Sequence, residues 1–144
     1  MAALTANRDT PRKLSAHDMQ HGYTGIDSAA FYKGALLMYD RSDQRVKPAT
    51  AATDAVCLGR GLTRVTTGAS NTLTVESESG IFRWGNSSAG DAITAGHIGL
   101  ACFMVDDQTV ALTDGTGTRS KAGTIYDVDA TGVWVATVFP AAGT

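Results

Sequence analysis

Residues 90–139, GDAITAGHIGLACFMVDDQTVALTDGTGTRSKAGTIYDVDATGVWVATVF, decide the fold. They hold the apolar runs Leu100–Val105, Thr124–Val128 and Val133–Phe139, set apart by segments dense in Asp, Gly and Thr. Each run is about five to seven residues long and carries Val, Ile, Phe, Tyr or Trp, which predicts strand over helix. Between them, Asp106-Asp107-Gln108, Asp114-Gly115 with Gly117, and Asp129-Ala130-Thr131-Gly132 carry turn chemistry. An Asp side chain bonds its own backbone two residues on, and Gly supplies the positive φ of tight turns. The stretch predicts an antiparallel β unit with no residue placed for catalysis.

Upstream the same signals continue. Phe31–Tyr39 predicts a strand that ends in the polar turn Asp40–Gln44, with Arg45-Val46-Lys47 pairing back across it. Pro48–Asp54 predicts a loop, and Ala55–Thr66 a second strand interrupted by Gly59 and Gly61, which signal a bulge or a close backbone approach. After a turn at Thr67–Asn71, the run Thr72–Glu78 alternates in period two, with Leu73 and Val75 inward and Thr72, Thr74 and Glu76 outward. Ser79-Gly80 then turns the chain into the aromatic strand Ile81–Trp84. Thr94–Gly99 is the one helical signal, a single turn with Thr94 as N-cap, Gly99 as stop, and His97 as a surface or cap residue.

Composition narrows the function. The chain has 144 residues and a formal charge of −2, without the clustered cations that phosphate contacts demand, so a dedicated nucleic-acid binder is not expected. The charge is uneven. Residues 1–64 hold nine Lys/Arg against six Asp/Glu, and residues 65–144 hold three against eight. Such asymmetry suits head-to-tail packing of copies or an arm lying on an acidic partner. Cys57 and Cys102 sit in apolar contexts and are expected as free, buried thiols. The start has no apolar signal region and no stretch approaches 18 apolar residues, so synthesis in a reducing cytosol and no membrane partner are expected.

Residues 1–13 are polar, with Arg8, Arg12, Lys13 and Pro11 and no sustained period, and predict an extended arm. Fully stretched it would span at most about 43–47 Å, at roughly 3.3–3.6 Å per residue. Residues 14–30 are irregular. His17 and His21 have helical i, i+4 spacing, but Gly22 and Gly25 oppose a helix and His97 is remote in sequence, so no metal site is expected.

Other motifs fail on named residues. Asp127–Gly132 resembles the start of a calcium loop, yet Thr131 takes the fifth position and Val138 the twelfth, where a bidentate Glu is required. Gly115-Thr116-Gly117 lacks the third glycine and the helix of a phosphate loop. Asp106 and Asp107 are adjacent, and neighbouring residues of a strand face opposite sides. The sequence contains neither G-x-S-x-G nor H-E-x-x-H. No catalytic residue, cofactor or metal is expected, and the chain does not read as an enzyme.

A family resemblance rests on several of these segments. Ser88–Thr94, His97-Ile98-Gly99 and Val105–Ala111 resemble the capsid decoration (cement) proteins of tailed bacteriophages. So do Thr113–Ser120, Ala122-Gly123, Asp127-Val128-Asp129 and the opening Met1–Pro11. The group is the DUF2190-type family, similar in architecture to the lambda head-decoration protein. The likeness covers most of the chain, strongest over 80–139 and in the arm. It implies an all-β fold, a small β-barrel or β-tulip-like domain over 14–144, preceded by a capsid-binding arm over 1–13. The arm residues implied in binding are Leu4, Thr5, Asn7, Arg8, Thr10, Pro11, Arg12 and Lys13. The implied partners are the phage major capsid protein and further copies of the chain, as a homotrimer on the capsid's outer surface. Other expectations are a head–tail joining or tail accessory protein, or a glycan-binding module that stacks sugars on Trp84, Tyr126 or Trp134.

Overall fold

The computed structural model describes Ala6 and residues 19–139, and these are all-β apart from short 3-10 turns. The strands in order are β1 (Gln20–Thr24), β2 (Ala30–Phe31), β3 (Leu36–Asp40), β4 (Arg45–Pro48), β5 (Ala55–Gly61) and β6 (Val65–Thr66). They continue with β7 (Thr74–Glu78), β8 (Gly80–Asn86), β9 (Ala101–Asp106), β10 (Thr109–Ala111), β11 (Lys121–Asp129) and β12 (Gly132–Thr137). Strands β8 to β12 close into a barrel in the order β10-β8-β12-β11-β9. Its pairings are antiparallel except that of β10 on β8. The earlier strands form a five-stranded sheet, β1-β7-β5-β3-β4, and the ribbon β2-β6. No helix among the described residues is long and apolar enough to cross a membrane.

The three apolar runs become β9, β11 and β12, and their turns use the expected chemistry. Asp106 Oδ1 accepts from the Gln108 N–H at 2.9 Å, Asp114 Oδ1 from Thr116 at 3.1 Å, and Asp129 Oδ1 from Thr131 at 2.8 Å. Thr109–Ala111 adds a strand that the sequence pattern does not show, being too short for any period to register. It matters because it closes the barrel, with Val110 and Ala111 fully buried. Ala95–His97 is a 3-10 turn, and the Thr94 N–H donates to His97 Nδ1 at 2.9 Å. A further 3-10 turn, Ala89–Asp91, has no counterpart in the sequence expectations.

Two cores flank β3 and β5. Leu36, Met38, Ala55 and Cys57 join the barrel core with Trp84, Ile93, Cys102, Met104, Ile125, Val133 and Val135. Leu37 and Leu58 point the other way, into a second core with Phe31, Val46 and Val75. A strand buried on both faces must be apolar at consecutive positions, which is why Leu36-Leu37-Met38 and Val56-Cys57-Leu58 do not alternate. Each fully buried side chain of this size contributes about 1.5–3 kcal/mol. The sheet's end strands draw together at a bridge between Gly25 and Val46, where the Ile26 N–H donates to Val46 O at 2.9 Å. Asn71 and Asp27 stitch the same corner: Asn71 Nδ2 donates to Gly25 O at 2.9 Å and the Asn71 N–H to Asp27 Oδ1 at 2.7 Å.

Four strand expectations need correction. Phe31–Tyr39 is not continuous, because the chain turns at Tyr32–Gly34, where Gly34 has a φ of 87°. Ala55–Thr66 breaks as well, between Gly61 and Val65. The two breaks lie side by side, with the Gly34 N–H on Gly61 O at 2.9 Å and the Gly61 N–H on Ala35 O at 2.8 Å. Both chains thus leave the sheet together and pair again as the ribbon, where Phe31 fills the second core. Leu73 is 52% exposed, since β7 starts at Thr74 and the inward face belongs to Val75 and Ser77. Ser79-Gly80 makes no hairpin: β7 and β8 belong to different sheets, and Ser79 carries the chain from one to the other.

Gly59 is the bulge that the glycine pattern predicts. Its φ is 99°, the β3–β5 register shifts beside it, and a Cβ there would lie 2.1 Å from the Glu78 carbonyl oxygen. Gly59→Ala is therefore expected to lose at least about 2 kcal/mol, since backbone strain alone costs about 1–3. Urea unfolding measures it, with Gly68→Ala as control. The space around Gly68 is open, and that variant should stay within about 0.5 kcal/mol of the parent.

Candidate functional site

A surface groove runs along β8. On one side β8 pairs with β12 from Gly80 to Trp84. On the other, only Gly85 and Asn86 are paired, to Thr109 and Val110 of β10. The Gly85 N–H donates to Gln108 O at 2.7 Å, away from β12. In an antiparallel strand alternate residues send both backbone groups to the same side, so Ile81 and Arg83 also face away from β12. Among the described residues no strand meets them there.

A groove follows this open edge, lined by Gly34, Arg60, Ile81, Phe82, Arg83, Trp84 and Trp134. Its cations sit on aromatic rings. The Arg60 guanidinium lies 4.5 Å from the Phe82 ring centre and also bonds Glu78. Arg83 lies 5.7 Å from the Trp134 ring, whose Nε1 donates to Asp129 Oδ2 at 2.9 Å. The groove continues past Lys33 and Gly61 to Tyr32, which carries Arg64 at 4.8 Å from its ring. Phe82 meets Trp84 edge-on at 6.4 Å between ring centres. These groups are suited to holding a partner by charge, stacking and backbone pairing.

Of the groove only Trp84 and Trp134 were named from the sequence, as stacking aromatics, because its residues come from β5, β8, β12 and the turn at Gly34. The only local signal was the arginine alternating with aromatics in Phe82-Arg83-Trp84. The arm residues Leu4, Thr5, Asn7, Arg8, Thr10, Pro11, Arg12 and Lys13 lie outside the described residues, as does His17. His21 sits in β1, where its Nε2 is 3.0 Å from Leu58 O, and burial lowers its pKa. Of the proposed stacking aromatics, Trp84 is 6% exposed and belongs to the barrel core, so it offers no platform. Tyr126 is 60% exposed and Trp134 half-buried.

Of the carboxylates that suggested chemistry, Asp106 and Asp129 are bound up in turns. Asp129 is held well below the usual carboxylate range, first by the Thr131 hydroxyl and next by the Trp134 indole N–H. Asp91 is lowered by Thr113 and Arg119, and Asp27 by the Asn71 N–H. Among the described residues no three His, Cys, Asp or Glu side chains come together to hold a metal ion. Cys57 and Cys102 are free and buried, as their contexts predict, and burial pushes their pKa values up to about 11 and about 12. Thiols so placed act as core hydrophobes.

Fold and surface together define an all-β protein built on a closed five-stranded barrel, with a basic and aromatic groove at one open strand edge. No protein-family model, no curated protein and no solved structure matches the chain.

The buried Asp40 gives the clearest pH dependence. Lys47 Nζ at 2.7 Å, then the Ser42 hydroxyl at 2.6 Å, hold its carboxyl far below the usual range. A depressed carboxylate pKa contributes stability that is complete above its unfolded value and is lost as pH falls towards the folded one. Asp40→Asn is expected to cost about 1.5–3 kcal/mol at pH 7, the worth of hydrogen bonds to a charged group. That difference should shrink steadily below pH of about 4. Urea unfolding at a series of pH values measures it.

Proposed function

We propose that this protein is a structural component of a tailed-bacteriophage virion. It binds the outer surface of the major capsid protein lattice and stabilises the head, as trimers at three-fold and quasi-three-fold sites. The family resemblance of residues 1–11 and 88–129 supports this, and the all-β barrel fits it. One observation carries it furthest: the groove beside β8 offers charged, aromatic and backbone groups for binding at the surface, while Asp106 and Asp129 are tied into turns. Repetition of such a surface on a lattice gives avidity without a strong single contact. In this reading residues 1–13 add the capsid anchor, through Leu4, Thr5, Asn7, Arg8, Thr10, Pro11, Arg12 and Lys13. The protein is made and assembled in the host cytoplasm.

Binding to purified expanded capsids, with the bound density located by electron cryomicroscopy, tests the proposal. Density at three-fold positions is expected, and deletion of residues 1–13 should weaken binding at least about tenfold, a loss of about 1.4 kcal/mol. Undiminished occupancy would remove the arm from the mechanism. Density confined to the neck or tail would move the protein to a joining or tail role. No binding to any particle, with glycan binding that Trp134→Ala abolishes, would replace the virion reading altogether.

A further inference from the structure

We infer that the open edge of β8 is a docking site for an extended segment of another protein, alternately acidic and apolar, that adds a strand beside Ile81–Trp84. The inference does not depend on whether the partner is a capsid lattice.

The backbone supplies the first reason. The free sides of Ile81 and Arg83 offer N–H donors and C=O acceptors in strand geometry, and an added strand satisfies them as a ladder. Four residues of strand span about 13 Å at roughly 3.3 Å per residue, so a short segment suffices. Charge supplies the second. Lys33, Arg60, Arg64 and Arg83 surround the groove against Asp107 at its Tyr32 end, and of these four cations only Arg60 makes an ion pair with a described residue, Glu78. Strand periodicity then sets the pattern of the ligand. Alternate side chains of an added strand fall on one face, so acidic residues meet Arg83 while those between them rest against Phe82. Trp84 also lines the groove, and its buried indole N–H has no acceptor among the described residues.

A second copy of the chain is a poor occupant. The other strands that end a sheet or form the ribbon, β1, β2, β4 and β6, contain no Asp or Glu. Among the described residues these strands of a second copy lack the acidic pattern, so we place the acidic segment in a different protein.

Both tryptophans of the chain, Trp84 and Trp134, line the groove, so their fluorescence reports its occupancy directly. The probe is a six-residue peptide of alternating glutamate and valine, blocked at both ends, titrated into the full-length protein. Saturable change in fluorescence is expected, weakening as salt is raised. A peptide with lysine for glutamate should bind at least about tenfold more weakly, and so should one with N-methylated backbone amides. Ile81→Pro removes a donor from the open side and leaves the β12 ladder intact. It should show the same loss with an unchanged unfolding midpoint, and Arg83→Glu should favour the lysine peptide. Equal affinity for the glutamate and lysine peptides, or for the N-methylated one, would overturn the proposal. Because the N-methylated peptide leaves the protein unaltered, its result stands even if Ile81→Pro fails to fold. Glutamate-peptide binding without capsid binding would retain the groove and remove the virion role; the converse would do the opposite.

Discussion

Everything in this fold depends on β3 and β5 being shared by two cores. Leu36, Met38 and Cys57 press into the barrel while Leu37 and Leu58 press into the second core. Neither core could close without these strands, so the sheet and the barrel stand or fall together. Ordinary strand alternation puts Cys57 and Leu58 on opposite faces. The bulge at Gly59 lets the β5 backbone pass against the Glu78 carbonyl, just where the chain crosses from sheet to barrel. Hydrophobic burial supplies the energy, and one residue without a side chain supplies the geometry.

The parts of the fold visible in the sequence are those with local causes. Asp129, Asp114 and Asp106 bond backbone groups within two residues, so their turns can be read from adjacent letters. The breaks at Gly34 and Gly61 have a distant cause, since each chain turns because the other turns beside it. The short strands β2, β6 and β10 carry too few residues for a period, and their pairing partners alone define them. Leu73 misleads for a related reason: an apolar residue in step with Val75 lies just before the strand begins.

The candidate site follows the same logic. Arg60, Phe82, Arg83 and Trp134 come together only when β5, the barrel wall and the turn at Gly34 are assembled. No motif precedes that assembly, so a search of the sequence for spaced catalytic residues passes over it. Trp84 shows the complementary case, an aromatic that a glycan-binding reading would place at the surface and whose side chain the barrel core encloses. Residue type alone could not separate Trp84 from Trp134, one strand apart and on opposite sides of the wall.

Ser79 has a wider meaning than its place between two strands. Its N–H donates to Met19 O at 2.9 Å and its hydroxyl accepts the Phe139 N–H at 3.1 Å. Met19 and Phe139, the ends of the continuous described stretch, thus converge on one serine. A short linker between them would preserve every strand pairing, and the exposed tip at Gly115–Gly117 could then be cut to give new termini. The described strands are in this sense a ring whose two ends meet at Ser79, and their architecture belongs to their spatial order more than to the order in which they are written.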